Sequence, residues 1–253
     1  MKAPQKNPWE LLRRYTNARI APGRVGGSMP TKPILQFRVD HAMAKESVQQ
    51  DWNAWNTKQA LEEKGLSSLV VQSQADSKLL YLQRPDLGKS LDTKSVDLLN
   101  SSSGTNSDIG VVISEGLSAW AVERHVIPLL EKFLPLVSDL TSGPIILAKY
   151  GRVALGDEIG ELLGCRLVIV CIGERPGLSS PDSLGIYITY RPTKGTTDER
   201  RNCISNIHSR GLSYEEAAQR LHYLCRGALD RKLTGVDLKD NYIGIRNDHS
   251  GLI

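Results

Sequence analysis

Short apolar runs alternate with amphipathic stretches through the second half of the chain. Four runs predict buried strands: 109–113, 145–149, 167–172 and 186–190. Three amphipathic stretches predict helices: 118–134, 156–163 and the segment that Ser213 and Glu216 open as a capping box. Continuous apolar strands that alternate with helices indicate a mainly parallel sheet with helices on both faces. The predicted fold class is therefore α/β, with a Rossmann-like sheet domain in this half.

The first half of the chain follows a mainly helical pattern. Four apolar residues share one face of a first predicted helix: Trp9, Leu11, Leu12 and Tyr15. Residues 42–64 predict one or two further helices, with Trp52 and Trp55 among their few apolar positions. This half therefore lacks the regular strand–helix alternation of the second half.

The boundary between the two parts is predicted from two apolar runs and a polar stretch. Residues 70–71 and 79–82 are short and apolar and predict strands. Residues 100–108 are rich in serine, asparagine and glycine, which is typical of a linker. We predict a mainly helical N-terminal region over 1–104 and an α/β domain over 105–253.

Ligands of parallel α/β sheets bind outside the carboxyl ends of the strands. Four glycine-rich or polar loops follow the four predicted strands: 114–118, 150–153, 173–177 and 191–208. Glycine lets backbone donors approach a ligand closely, so these loops predict a binding crevice. The G-x-G-x-x-G and G-x-S-x-G patterns are absent. Gly88-Lys89-Ser90 matches only the end of a phosphate loop, because Gln83 stands where that motif requires glycine.

Charge is concentrated near the start of the chain. Residues 1–38 hold eight Lys and Arg against one Asp or Glu, whereas the net charge of all 253 residues is +4. Such a basic arm fits nucleic acid, a phosphate-bearing ligand, an acidic protein partner or a solvated surface. Aromatic residues make up 6% and do not alternate with the bases, which disfavours single-stranded nucleic acid.

Composition excludes several protein classes. No apolar run reaches the roughly 18 residues of a membrane helix, and the first residues lack the pattern of a secretory signal. The four cysteines show no C-x-x-C spacing, so neither a zinc site nor a redox pair is predicted. We therefore expect a protein that stays inside the cell.

Three constellations offer weak candidates for chemistry. Glu174 and Arg175 fit either a base with its partner or a surface ion pair. Cys203 and His208 fit a nucleophile and its base, although their sequence separation fixes no geometry. His208 also lies in Asn206-x-His208-x-x-Gly211, which differs by its first residue from a cobalamin-domain motif, so a structural or contact role is expected for it.

Five sequence blocks, in order, carry a family resemblance. They are Tyr81-Leu82-x-Arg84-Pro85-Asp86-x-Gly88, Ser114-x-Gly116-Leu117-Ser118, Tyr150-Gly151-Arg152-Val153, Gly173-Glu174-Arg175-Pro176-Gly177-Leu178 and Cys203-Ile204-Ser205-Asn206-Ile207-His208. Together they resemble the small (light) chain of ethanolamine ammonia-lyase over nearly the whole sequence. The resemblance implies a subunit of an adenosylcobalamin-dependent enzyme that converts ethanolamine to acetaldehyde and ammonia by a radical mechanism.

The resemblance also implies how the work is divided. The large (heavy) subunit binds ethanolamine, and this chain closes over the cobalamin at the interface, in an assembly with six of each chain. The family's cofactor contacts match Val153, Glu174 and Cys203 here, and no catalytic or metal-binding residue is expected in this chain. Region 1–104 is then expected to dock on the large subunit, with Trp9, Trp52 and Trp55 as anchors.

The resemblance implies a cytoplasmic location. Some members carry a longer N-terminal extension linked to packaging in a bacterial microcompartment, and this sequence begins close to its first predicted helix. The alternative to the subunit is a free-standing nucleotide- or phosphate-binding α/β enzyme whose basic arm grips phosphate. The missing phosphate signatures count against that alternative.

Overall fold

The computed structural model describes Trp9 and residues 11–12, 15–16, 18–24, 26–102 and 107–243. Within them lie seven α-helices: α1 (Thr31–Gln49), α2 (Ala54–Glu62), α3 (Lys78–Gln83), α4 (Thr93–Ser102), α5 (Ala119–Phe133), α6 (Leu155–Leu162) and α7 (Tyr214–Arg231). The six strands are β1 (Ser68–Gln72), β2 (Ile109–Ser114), β3 (Ile145–Lys149), β4 (Leu167–Gly173), β5 (Leu184–Tyr190) and β6 (Arg201–Ile207). The helix predicted around Trp9 and the linker at 100–108 each include residues outside the described set.

One sheet joins all six strands in the order β1-β3-β2-β4-β5-β6. The first four in this order are parallel, and β5 and β6 run antiparallel to their neighbours. The predicted α/β class with a mainly parallel sheet is confirmed. The division of the chain at residue 104 stays a prediction, and one strand of the sheet, β1, precedes it.

Two predictions of local structure were wrong. Residues 79–82 form most of α3, whose start is capped by the Ser77 hydroxyl accepting from Leu80 N at 3.4 Å. The loop predicted over 191–208 contains β6, because this edge strand alternates buried Ile204 with exposed Cys203 and Ser205 instead of showing an apolar run.

Capping residues define three helix ends, and the predicted start of a helix at Ser213 is confirmed. Ser118 caps α5 by accepting from Ala121 N at 3.2 Å, and Ser213 caps α7 by accepting from Glu216 N at 3.2 Å. Gly164, with a φ of 64°, ends α6. No helix in the described part of the chain has both the length and the hydropathy to cross a membrane.

Helices cover the two faces of the sheet unequally. One face packs against α2, α5 and α7 around a continuous apolar core, and the other packs against α4 and α6. On the α4/α6 face, β5 and β6 present half-buried Tyr187 and exposed Cys203 and Ser205, while Ile186 and Ile204 of the same strands are buried on the other face. The α4/α6 face is thus open over β5 and β6.

Candidate functional site

The sheet reverses its connection order between β2 and β4. The chain leaves β2 toward β3 on one side, whereas it leaves β4 toward β5 on the other. Such a reversal opens a crevice at the carboxyl ends of the two strands. A groove of about 440 Å³ lies there, and its walls include Leu117, Arg152, Val153, Glu174, Tyr187 and Ser205. We call it the switch-point groove.

The structure places the three predicted contact residues differently. Val153 and Glu174 both line the switch-point groove. Cys203 lies outside its lining, but its cross-strand partner Tyr187 and the next residue on the same side of β6, Ser205, belong to it. The role of Val153, Glu174 and Cys203 as cofactor contacts stays a prediction. The structure brings Val153 and Glu174 together in one groove.

Most of the fourth predicted loop, 191–208, lies away from the carboxyl ends of β2 and β4. Because β5 runs antiparallel to β4, Arg191 follows β5 at the opposite edge of the sheet. The chain returns along β6, so only Ser205 to His208 lie near the carboxyl ends of β2 and β4. Periodicity identified β5 as a strand but carries no information about its direction.

Hydrogen bonds hold the Glu174 carboxylate in place. Ser183 Oγ donates to Oε2 and Ser205 Oγ donates to Oε1, each at 2.5 Å, and Asn206 N donates to Oε2 at 3.3 Å. No ion pair with Arg175 forms among the described residues, so the surface ion pair is wrong. The carboxylate is half-buried and oriented, with acceptor capacity left for a ligand.

Gly185 leaves space for this carboxylate. A Cβ at Gly185 would lie 2.9 Å from Glu174 Oε1 and 3.1 Å from its Cγ. The carboxylate therefore packs directly on the backbone of β5.

Val153 reaches the groove through a loop that begins in an unusual backbone conformation. Tyr150 has a φ of 54°, which is rare for a residue with a large side chain. Ser73 Oγ donates to Tyr150 O at 2.8 Å, and Ser114 Oγ accepts from Gly151 N at 3.1 Å. Buried hydroxyls at the ends of β1 and β2, the two strands that flank β3, thus compensate the strained turn that presents Val153.

A buried carboxylate that the sequence analysis missed also holds this loop. Both oxygens of Glu115 accept from Tyr150 N, at 2.9 and 3.0 Å, and the side chain is fully buried. Burial raises the pKa of Glu115 to about 7, although the nearby Lys78 ammonium opposes this rise. In the sequence, the feature that could have indicated this role of Glu115 is an acidic residue placed directly after a predicted buried strand.

Arg152 and Tyr81 form a second feature that sequence reasoning did not identify. The Arg152 guanidinium carbon lies 4.3 Å from the centre of the Tyr81 ring, and Nη2 donates to Tyr81 O at 3.3 Å. Tyr81 is itself fixed, because its hydroxyl donates to Gly151 O at 3.2 Å. The stack places a guanidinium on the wall of the groove.

The hydrogen bonds of His208 do not join it to Cys203 as a base to its nucleophile. Although Cys203 is exposed by area, loss of hydration at its sulfur, with a smaller contribution from Glu174, raises the pKa of the thiol above its usual value. His208 is buried, and its Nε2 lies 2.9 Å from Asn206 Oδ1 while Nδ1 accepts from Arg210 N at 3.3 Å. Both ring nitrogens are engaged, which confirms the structural interpretation of His208.

A second groove adjoins the first on the α4/α6 face. It encloses about 840 Å³ and shares Arg152 and Val153 with the switch-point groove. Its other walls come from residues 85–90 and 194–201. We call it the lateral groove.

Comparisons with known proteins agree with the resemblance. A family model of the ethanolamine ammonia-lyase light chain matches residues 6–239. The ethanolamine ammonia-lyase small subunit of Pseudomonas putida (strain W619) is 49% identical over 240 residues, covering 93% of this chain and 88% of that protein. The small subunit of Azotobacter vinelandii is 47% identical over 251 residues, covering 97% and 93%. The chain therefore belongs to the ethanolamine ammonia-lyase light-chain family.

Proposed function

We propose that this chain is the light subunit of an ethanolamine ammonia-lyase and that its switch-point groove contacts adenosylcobalamin. The enzyme converts ethanolamine to acetaldehyde and ammonia. Membership in the light-chain family favours a subunit over a free-standing nucleotide- or phosphate-binding enzyme. The observation that carries the cofactor proposal is that Val153 and Glu174, from loops after different strands, line one groove.

The chemistry of the groove suits a corrinoid. A corrin carries amide side chains around an apolar ring, so it needs apolar surface together with hydrogen-bond acceptors and donors. Val153 and Leu117 offer apolar surface, and the Glu174 carboxylate offers an acceptor for an amide N–H. Tyr187 keeps its hydroxyl proton, since burial raises its pKa to about 12, and can donate to an amide oxygen.

In this proposal the chain binds and orients the cofactor and shields it from water. Adenosylcobalamin, when bound, supplies a cobalt–carbon bond whose homolysis starts the radical chemistry. Glu174 is held by two serine hydroxyls, so it orients an amide at the edge of the ring without moving. Val153 and Leu117 exclude water from one side of the groove. Cys203 extends this contact surface along β6.

A large subunit is proposed to dock on the N-terminal region through α1. Helix α1 is exposed along Leu35, Val39 and Met43, which are spaced four residues apart on one helix face, with exposed fractions of 54%, 53% and 41%. Region 1–104 therefore offers an apolar docking surface. Trp55 is also exposed, but Trp52 is 3% exposed and donates to Thr57, so its proposed role as an anchor is wrong.

The docking helix lies next to the switch-point groove. Ser47, near the end of α1, bonds the Ser118 hydroxyl at 2.8 Å and donates to Pro181 O at 2.7 Å. Pro181 belongs to the connection between β4 and β5 that carries Glu174. A partner seated on α1 would therefore also reach the rim of the groove.

Reconstitution tests the proposed function. Acetaldehyde formation from ethanolamine and adenosylcobalamin is measured with the large chain alone, with this chain alone and with both. We expect activity only with both chains. Turnover by the large chain alone, at the rate of the mixture, would contradict the proposal.

The proposed assembly holds six copies of each chain, and its proposed location is the cytoplasm. Native mass spectrometry of the mixture gives the stoichiometry directly. Fractionation of cells grown on ethanolamine would separate a cytoplasmic complex from one packaged in a microcompartment.

A further inference from the structure

Two residues of the Gly88-Lys89-Ser90 segment, Lys89 and Ser90, line the lateral groove. This segment ends the short 3-10 helix Leu87–Lys89, and Lys89 and Ser90 both face the groove of about 840 Å³. The sequence does not predict a phosphate loop here, because Gln83 stands where the first glycine of that motif is required. The structure nevertheless places this lysine and serine beside Arg152, which also lines the switch-point groove.

The two walls of the lateral groove differ in charge. The segments 85–90 and 152–154 build one wall, and the charged residues among those that line the groove there are Lys89 and Arg152, both cations. Asp86 of the same segment does not line the groove and pairs with Arg84. The opposite wall, 194–201, mixes both signs. There Arg201 pairs with buried Asp157 and with Asp198, Lys194 pairs with Glu158 at 2.7 Å, and the Glu199 carboxylate accepts from Thr197 Oγ1.

Lys89 and Arg152 are the cations of this groove that form no ion pair within the described residues. Because no described carboxylate neutralises these two side chains, the wall keeps positive charge that an anionic ligand can pair with.

The cationic wall is preorganised. Arg152 N donates to Gly88 O at 2.7 Å, which ties the two segments of the wall together. A Cβ at Gly88 would lie 3.0 Å from Arg152 Cγ and from Tyr150 O, so the segments are in close contact. The Tyr81 ring stacks on the guanidinium and restricts its orientation. An anion would thus meet an Arg152 guanidinium that needs little further ordering.

We propose that the lateral groove is a phosphodiester subsite for the ligand of the switch-point groove, with Lys89, Arg152 and Ser90 as its donors. The proposal rests on the proposed function, since cobalamin combines an amide-bearing corrin with one phosphodiester in its nucleotide loop. The corrin edge occupies the switch-point groove beside Glu174 and Val153, and the phosphodiester lies along the cationic wall. Arginine and lysine are the side chains suited to phosphate oxygens.

Comparing two corrinoids tests the subsite. Adenosylcobinamide has the same corrin and adenosyl group as adenosylcobalamin but lacks the nucleotide loop and its phosphate. The dissociation constants of both corrinoids are measured by equilibrium dialysis with the complex of this chain and the large chain. The variants are Lys89→Ala, Lys89→Arg, and Lys64→Ala as a control on an exposed lysine of the other face, which pairs with Glu131.

We expect Lys89→Ala to weaken adenosylcobalamin binding about tenfold, corresponding to loss of one charged contact of about 1.4 kcal/mol. Adenosylcobinamide binding should not change, Lys89→Arg should restore most of the affinity, and Lys64→Ala should match the wild type. The wild-type affinity for adenosylcobalamin should also fall with added salt more steeply than that for adenosylcobinamide.

Equal weakening of both corrinoids by Lys89→Ala, or no weakening of either, would overturn the subsite and leave the proposed function intact. Stabilisation of the complex by inorganic phosphate through Lys89, without a difference between the corrinoids, would assign the groove to another phosphorylated ligand and also overturn it. Failure of the wild-type complex to bind either corrinoid would instead refute the proposed function.

Discussion

At the scale of single residues, Glu115 shows how burial shapes this site. Its carboxylate has no exposed surface, yet it is the group that fixes Tyr150 N and through it the loop that carries Arg152 and Val153. Burial disfavours the ionised form of Glu115, whereas the Lys78 ammonium favours it. The effect of burial is the larger of the two, so the pKa of Glu115 is raised to about 7. Folding and protonation of this residue are therefore linked.

Glu115→Gln should change the pH dependence of stability. The folded chain holds the Glu115 proton to about pH 7, whereas the unfolded chain releases it near 4.5, so wild-type stability falls as pH rises between these values. Glutamine cannot ionise and its amide oxygen still accepts from Tyr150 N. We expect the free energy of unfolding of the variant, relative to wild type, to rise by about 3 kcal/mol across this window.

Urea unfolding at a series of pH values from about 4 to about 8 measures this difference. Glu131→Gln, which alters an exposed carboxylate of α5, is the matched control for replacing a carboxylate by an amide. A difference between Glu115→Gln and wild type that stays flat with pH would contradict a protonated, buried Glu115.

Glu174 is expected to set cofactor affinity. Glu174→Ala removes an oriented, charged acceptor and should raise the dissociation constant of adenosylcobalamin in the two-chain complex about tenfold or more. Glu174→Gln keeps one acceptor oxygen and should lose less. Equilibrium dialysis measures both, with Glu131→Gln as the control.

Gly185→Ala tests the same residue without removing its charge. The added methyl group would lie 2.9 Å from Glu174 Oε1 and should displace the carboxylate. Affinity should fall in the same direction as for Glu174→Ala. Unchanged affinity in all three variants would remove Glu174 from the binding site.

At the scale of elements, the sequence predicts the strands that are buried on both faces. It does not predict elements whose structure depends on contacts with other parts of the chain. The strands β2, β3 and β4 were predicted because both of their faces are covered, which requires continuous apolar runs. The edge strand β6 was missed because its open face carries polar residues. The short run 79–82 became a helix, since four apolar residues do not distinguish a strand from a buried helical turn.

The same distinction explains how much of the site was predictable. Val153 and Glu174 were identified through motif resemblance, and the parallel strands explain why their loops meet. Lys78 and Tyr187 depend on contacts between distant parts of the chain, so no local pattern marks them. The direction of β5, which brings Ser205 to Glu174, is set by its pairing with β4 and leaves no trace in its own periodicity.

At the scale of the whole molecule, α1 stands apart from the packed layers. Of its 19 residues only Ser47 is buried, and its apolar face includes Leu35, Val39 and Met43. An isolated helix of this length gains most of its stability from packing. The apolar face of α1 thus fits burial against the large subunit.

Val39→Asp should weaken assembly with the large chain. A carboxylate in an apolar interface loses hydration without gaining a partner, so we expect at least a tenfold increase in the dissociation constant of the two chains. Analytical ultracentrifugation of the mixture measures it. Val236→Asp is the matched control, because Val236 is 60% exposed and lies outside α1. Equal assembly of both variants would remove α1 from the interface.

The Ser47 hydroxyl, the Ser118 hydroxyl and Pro181 O form a hydrogen-bonded cluster. This cluster joins the C-terminal end of α1 to the start of α5 and to the connection between β4 and β5 that contains Glu174. A partner that shifts α1 would act on the hydrogen bonds between α1 and the β4–β5 connection, and Glu174 lies in that connection. Two binding events that bias one shared element are thermodynamically reciprocal. If partner and cofactor both favour one arrangement of this cluster, the factor by which assembly tightens cofactor binding equals the factor by which the cofactor tightens assembly.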